Sequence, residues 1–221
     1  MIKLTKLQEP DILISNKAKW TEDYKKAKSD TSTDKKNIEK LSNKYRHPEI
    51  KDQIVRETNE KCAYCESKIK HCYPGDVEHI KPKSEFEDDI FEWLNLTLSC
   101  GECNRRKLDN YDDEIGIINP YETDPENHLF ATGAIIFPRL GDSIGKLAYE
   151  LFELNRIELL ERRNEKLTNL QIQLDRFATE TNETLKKLYK RQIEKAKENH
   201  NEYAMVTKAF IKLAMNKCSK P

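Results

Sequence analysis

Two pairs of cysteines with the same internal spacing limit what this chain can become. Cys62-Ala-Tyr-Cys65 and Cys100-Gly-Glu-Cys103 flank residues 66–99. A two-residue gap lets both thiolates of a pair turn toward one ion, and two such pairs complete a tetrahedral structural zinc site. One Cys-x-x-Cys alone would suit a redox dithiol equally well. Six cysteines in a chain that reads as cytosolic also point to metal rather than disulfides. Cys72 and Cys218 lack a matched partner and read as free thiols. Cys72, beside His71, is the one substitute ligand close to the first knuckle.

The 221 residues are 35% charged and 37% hydrophobic, with a mean hydropathy of −0.86, a balance that suits solvated helices. No stretch approaches the roughly eighteen apolar residues of a membrane span. Met1-Ile-Lys-Leu-Thr-Lys has neither the apolar segment nor the cleavage site of a secretion signal, so a cytoplasmic protein is expected. Net charge is zero but unevenly spread: +4 over residues 1–61, −3 over 62–111, −6 over 112–150 and +5 over 151–221. A basic footprint for nucleic acid must therefore come from the flanks or from a partner.

The pattern divides into four stretches. Residues 1–45 are polar and poorly periodic, an extended arm leading to a short helix and a loop. Residues 46–111 hold the knuckles. His47-Pro48 opens a helix with Ile50, Ile54 and Val55 inward, and Val77–Ile80 forms a short strand. Residues 112–145 are acidic and rich in Pro, Gly and Asn, a connection with one brief strand at Ala134–Phe137. Residues 146–221 are helical. Leucines from Leu147 to Leu174 recur at helical spacing, and a second helical run covers Thr184 to Lys217, a region expected to dock a partner. Gly141-Asp-Ser-Ile-Gly145-Lys146-Leu147 imitates a P-loop but is one residue short, and Leu147 replaces the magnesium-binding hydroxyl; nucleotide binding is not expected there.

Between and after the knuckles the chain reads Val77-Glu78-His79-Ile80-Lys81-Pro82-Lys83, Trp93-Leu94-Asn95-Leu96, and Asn104-Arg105-Arg106-Lys107. These groups suit one-metal hydrolysis of a phosphodiester. A neutral imidazole takes a proton from water near neutral pH. A carboxylate and an amide oxygen hold a hard cation, and a further Asn can orient the imidazole.

Cys-x-x-Cys, Glu-His-Ile-x-Pro, Asn-Leu and Cys-x-x-Cys-Asn-x-x-Lys together resemble the zinc-stapled HNH (His-Me finger) nucleases. Trp93, Ile118-Asn-Pro120, His128-Leu-Phe130, Leu154-Asn155 and Arg162-Arg163 are similar to the PtuB-type members from bacterial Septu and retron-linked anti-phage systems. The resemblance implies a mainly α protein with a small embedded ββα-metal module stapled by a four-cysteine zinc site. It implies His79 as general base, Glu78 and Asn104 as ligands of catalytic Mg²⁺ or Mn²⁺, and Asn95 as the residue orienting His79. Cys62, Cys65, Cys100 and Cys103 would hold Zn²⁺. Glu78 stands where Asp is usual, and Asn104 where the final His would be; both keep an oxygen ligand.

The implied partners are a PtuA-type, SMC-like ATPase, nucleic acid (DNA before RNA) and, through the complex, a retron RNA or DNA component. No membrane partner is expected. Lys81, Lys83, Arg105, Arg106 and Lys107 flank the site and could grip phosphates. Two other functions remain open on these residues. One is a toxin-like RNA or tRNA nuclease using the same site; the other is a non-catalytic zinc adaptor for nucleic acid or the ATPase.

Overall fold

The computed structural model describes residues 1–70, 73–112 and 114–218, with side chains as far as residue 216. The readings of His71, Cys72 and the Cys218 thiol lie outside the described residues. Among the described residues, eight α-helices and two antiparallel strand pairs follow one another as α1 (Asp11–Ser29), α2 (Lys35–Ser42), α3 (Pro48–Glu57), β1 (Asp76–His79), β2 (Leu96–Ser99), α4 (Gly101–Lys107), β3 (Leu129–Thr132), β4 (Ile135–Pro138), α5 (Ser143–Leu151), α6 (Ile157–Thr179), α7 (Glu183–Ala196) and α8 (Ala204–Cys218). The protein is thus mainly helical around a small ββα unit, β1–β2–α4. No helix among the described residues is long and apolar enough to cross a membrane.

The first helix is longer than its sequence suggests. Only Leu13, Tyr24 and Ala27 of α1 are buried, so its apolar period is faint. Asp11 in the first turn and Lys26 and Lys28 in the last suit the helix dipole, and Pro10 sits at the N-cap. The preceding arm packs against the core. Met1, Ile2 and Leu4 are buried, and the Leu4 amide donates to the Pro120 carbonyl at 2.8 Å. Lys6 reaches the Leu96 carbonyl (2.5 Å) and Glu57 (2.9 Å), with its ammonium 3.9 Å from the Trp93 ring centroid. Burial lowers the Lys6 pKa to about 8, against the opposing pull of Glu57.

Helix α3 begins at Pro48 and buries Ile50, Ile54 and Val55, the face its pattern predicts. The acidic connection holds a complete hairpin, β3 pairing antiparallel with β4 from Leu129↔Pro138 to Thr132↔Ile135. The glycines of the imitation P-loop have structural reasons. Gly141 sits at φ +78°, and a Cβ on Gly145 would lie 2.3 Å from the His128 carbonyl. Asp142 caps α5 by accepting the Gly145 amide at 2.6 Å.

The expected helix 184–217 is two helices. Tyr203, at φ +53°, turns the chain between α7 and α8. Lys61, itself buried, holds this junction by donating to the Asn199 and Asn201 carbonyls at 2.5 and 2.9 Å. The leucine stripe of α6, Leu159, Leu167, Leu170 and Leu174, is buried within the chain, whereas Leu185 and Leu188 on α7 and Leu213 on α8 are exposed. One apolar cluster runs from Met1 through β1, β2 and α5 to Ile211.

The face-to-face stack of Tyr64 on Phe152 (centroids 4.1 Å apart) fastens α5 to the first knuckle, and both rings are fully buried. Phe152→Ala should therefore cost about 3–5 kcal/mol, read as a lowered urea midpoint with unchanged slope.

Candidate active site and metal centre

The metal centre and the candidate active site share one helix. The Cys62, Cys65, Cys100 and Cys103 sulfurs all lie within 4.8 Å of one another, and Cys65 and Cys100 are 3.9 Å apart. Four sulfurs about 2.3 Å from a tetrahedral ion would stand about 3.8 Å apart, close to the 3.9 Å between Cys65 and Cys100 and within about 1 Å of the widest separation in the cluster. Hydrogen bonds from the neighbouring thiols hold Cys65 and Cys100 below the usual thiol range. Burial pushes Cys62 above it, and the Cys100 contact does the same to Cys103. Arg156 brings a positive charge to 3.7 Å from the Cys103 sulfur. Cys100 also caps α4, its sulfur accepting from the Cys103 amide at 3.4 Å.

Starting at Gly101, α4 presents Asn104 and Lys107 on one face, three residues apart. The facing strand β1 alternates sides, so Asp76 and Glu78 share a face and His79 lies on the other. Asn104 Nδ2 donates to Asp76 Oδ2 at 2.9 Å, and Lys107 Nζ lies 3.1 Å from Glu78 Oε1. Asp76 is further held by the Tyr73 hydroxyl at 2.6 Å. Burial raises the Glu78 pKa to about 7, with Lys107 pulling it back.

His79 is buried, and its Nε2 lies 2.9 Å from the Ile90 carbonyl. A carbonyl only accepts, so Nε2 carries the proton and Nδ1 keeps its lone pair. Burial lowers the His79 pKa to about 3, and Lys83, Lys107 and Arg46 push the same way against the Ile90 hydrogen bond. The ring is therefore neutral at physiological pH. Tyr45, from the 3₁₀ turn Asn43–Arg46, packs edge-on against it with centroids 4.5 Å apart.

The site lines a cavity of about 440 Å³ that takes in Asp76, Glu78, His79, Asn104, Lys83 and Arg46. Asn95 meets the imidazole only through the backbone. Its amide accepts from the Lys81 N–H (2.8 Å) and donates to the Lys81 and Asp89 carbonyls (3.1 and 3.0 Å). It thereby clamps both ends of the loop whose next residue, Ile90, holds His79. Asn95, which the resemblance implies as the residue orienting His79, is linked to it through this loop.

The expected basic contacts divide. Lys107 is fully buried against Glu78, so it cannot reach a phosphate from the surface. Lys81 pairs with Asp89 (3.7 Å), Arg105 with Glu102 (2.8 Å), and Arg106 with Glu102 (2.7 Å) and Glu153. Lys83 lines the cavity and lies 4.9 Å from the Tyr45 ring centroid. The acidic triplet at Glu87 is equally engaged, with Glu87 and Asp88 pairing with Lys28 and Lys25 of α1. Asp76, Tyr45, Arg46 and Lys51 are cavity residues not singled out from sequence. Strand parity two residues before Glu78 could have indicated Asp76. Nothing local indicates the other three, which arrive from a distant turn and helix.

Lys107→Ala would strand the Glu78 carboxylate and should destabilise the fold by about 3–5 kcal/mol. Arg105→Ala, at an exposed pair, should leave the urea midpoint unchanged. Equal midpoints for the two variants would remove the structural role of Lys107.

Residues 62–110 match the family model for HNH endonuclease. The chain is 27% identical to Septu protein PtuB of Bacillus thuringiensis over 161 residues, 72% of this chain and 57% of that protein. It is 29% identical to Septu protein PtuB of Bacillus mycoides (strain KBAB4) over 150 residues, 54% of this chain and 51% of that one. The chain spans about half the length of these curated relatives. With the β1–β2–α4 geometry and the cysteine cluster beside it, residues 62–110 carry an HNH endonuclease domain, in a chain similar to the two Septu PtuB proteins.

Proposed function

We infer that this chain is a metal-dependent endonuclease that hydrolyses nucleic-acid phosphodiesters, with DNA as its substrate. It would be the nuclease effector of a two-component anti-phage system, working in the cytoplasm with an SMC-like ATPase of the PtuA type. The observation that carries the reading is the placement of a neutral, hydrogen-bonded imidazole at one cavity with two carboxylates and an amide. Similarity to the PtuB relatives carries the partner and the biological setting. The leucines exposed on α7 and α8 are where the ATPase would cover the chain.

The residues fit the metals expected of them. Asn104 spends its Nδ2 on Asp76, which leaves its Oδ1 for a cation in the cavity that Asp76 and Glu78 also line. All-oxygen donors of this kind suit Mg²⁺ or Mn²⁺. The four cysteines suit Zn²⁺, whose tetrathiolate complex carries net negative charge that Arg156 offsets. A hard divalent cation at Glu78 and Asn104 would stabilise negative charge on the phosphate and the leaving oxygen.

His79 takes the proton of the attacking water at Nδ1. The Ile90 carbonyl keeps Nε2 protonated and the ring in place, with Asn95 fixing that carbonyl through the loop. A bound phosphodiester anion would raise the basicity of the buried imidazole. Lys107 keeps the Glu78 carboxyl oriented and favours its charged form against the effect of burial.

His79→Ala should reduce cleavage by about 10²–10⁴-fold while metal content and circular dichroism stay unchanged. The assay uses plasmid DNA and total RNA in parallel, with Mg²⁺ or Mn²⁺, and with and without the ATPase. Wild-type rates from His79→Ala would overturn the role of the base, and degradation of the RNA alone would overturn the DNA substrate. Separately, the protein should contain stoichiometric zinc by mass spectrometry of the metals. A Cys62→Ser/Cys100→Ser variant should lose it and melt at lower temperature. Retention of zinc by that variant would refute the four-cysteine site.

A further inference from the structure

The cavity holding His79 is lined by groups of both signs. Asp76, Glu78 and Asn104 supply oxygen and negative charge, and Arg46, Lys51 and Lys83 supply positive charge. Most basic side chains around the finger are already neutralised. Lys81, Arg105, Arg106 and Lys107 each have a carboxylate within 4.0 Å, as does Lys44, two residues before Arg46. Among the described residues, Arg46, Lys51 and Lys83 have no such ion pair, though they stand around one cavity.

Two of the three share a fixed support. Tyr45 is buried, and its hydroxyl accepts from Arg46 Nε at 3.1 Å. The Arg46 guanidinium lies 5.4 Å and the Lys83 ammonium 4.9 Å from the Tyr45 ring centroid. That ring packs against His79, so the aromatic side chain that fixes the imidazole also sets the position of two cations beside it. Lys51 stands on the first turn of α3, immediately after this 3₁₀ turn. Unpaired cations around a cavity with low-dielectric walls concentrate their field on an entering anion. A phosphodiester backbone presents anions at regular spacing, and sequence-independent grip on it comes from such contacts.

We propose that Arg46, Lys51 and Lys83 form a phosphate-gripping rim that seats the backbone of a nucleic-acid strand over His79. This rests on the nuclease reading above and joins Lys83, within the cysteine-stapled finger, to two residues from outside it. Of the basic contacts expected from sequence it keeps Lys83, and it replaces Lys81, Arg105, Arg106 and Lys107 with Arg46 and Lys51 from a turn and a helix upstream. These are positioning residues, since they hold the strand and exchange no proton with it.

The test uses full-length His79→Ala protein, which retains the rim, and fluorescence anisotropy with a labelled 20-base-pair duplex over a range of salt. Added Arg46→Gln or Lys51→Gln should each weaken binding several-fold and reduce the slope of log affinity against log salt by about 1. Arg46→Lys should restore part of the affinity, and Arg105→Gln should leave both affinity and slope at the parent values. Melting temperature and zinc content report on folding. If Arg46→Gln fails to fold, Lys51→Gln and Lys83→Gln carry the test. Parent-like affinity and slope in the rim variants would overturn the proposal, as would an equal loss in Arg105→Gln or no binding by the parent. The two readings fail separately: a wild-type protein that binds through the rim but never cuts defeats the nuclease reading alone. A protein that cuts with unchanged KM after Arg46→Gln defeats the rim alone.

Discussion

The four-sulfur cluster is the constraint from which the site follows. It draws together two short segments separated by residues 66–99 and sets where two elements begin and end. Strand β2 stops at Ser99, Cys100 becomes the cap of α4, and the helix starts at Gly101. With that origin fixed, Asn104 and Lys107 fall one helical step apart on the face that meets Asp76 and Glu78. A helix of seven residues has little stability of its own. Its direction is held by the sulfur cap at one end and the buried Lys107–Glu78 pair at the other.

Burying charge in so small a unit costs free energy, and the contacts around the site show how it is offset. Glu78 has Lys107, and Asp76 has the Asn104 amide and the Tyr73 hydroxyl. His79 stays neutral, with its proton directed to a backbone carbonyl. Each polar group is thus oriented by a partner that leaves other atoms available to a cation, a water or a phosphate. Preorganisation of this kind is what electrostatic catalysis requires, because the site need not rearrange as charge develops.

The segments outside the finger support it from both ends of the chain. Lys6 fits between Trp93, Tyr121 and Glu57, with its ammonium on the carbonyl of the first residue of β2. Lys61, adjoining the first knuckle, organises the junction of α7 and α8, and Tyr203 from that junction hydrogen-bonds Ser67 at 2.9 Å. The N-terminal segment and the C-terminal helices therefore belong to the frame of the metal centre, even though their compositions differ from that of the finger.

The sequence alone determined the pairing of the cysteine knuckles, the helix opening at Pro48 and the mainly helical class. In each case the signal is a residue type at a fixed short spacing, where local geometry leaves few choices. It did not reveal the length of α1, whose few buried positions give almost no periodicity, or the break before α8, which depends on a lysine far upstream. Tertiary structure alone decided that Lys107 is buried against Glu78, and that Asn95 is linked to His79 through a loop. It also decided that Arg46 and Lys51 line the cavity beside His79. The physical reason is common to all three: charge and hydrogen-bonding capacity belong to a residue, but the group that receives them depends on which distant segment the fold brings within about 3–5 Å.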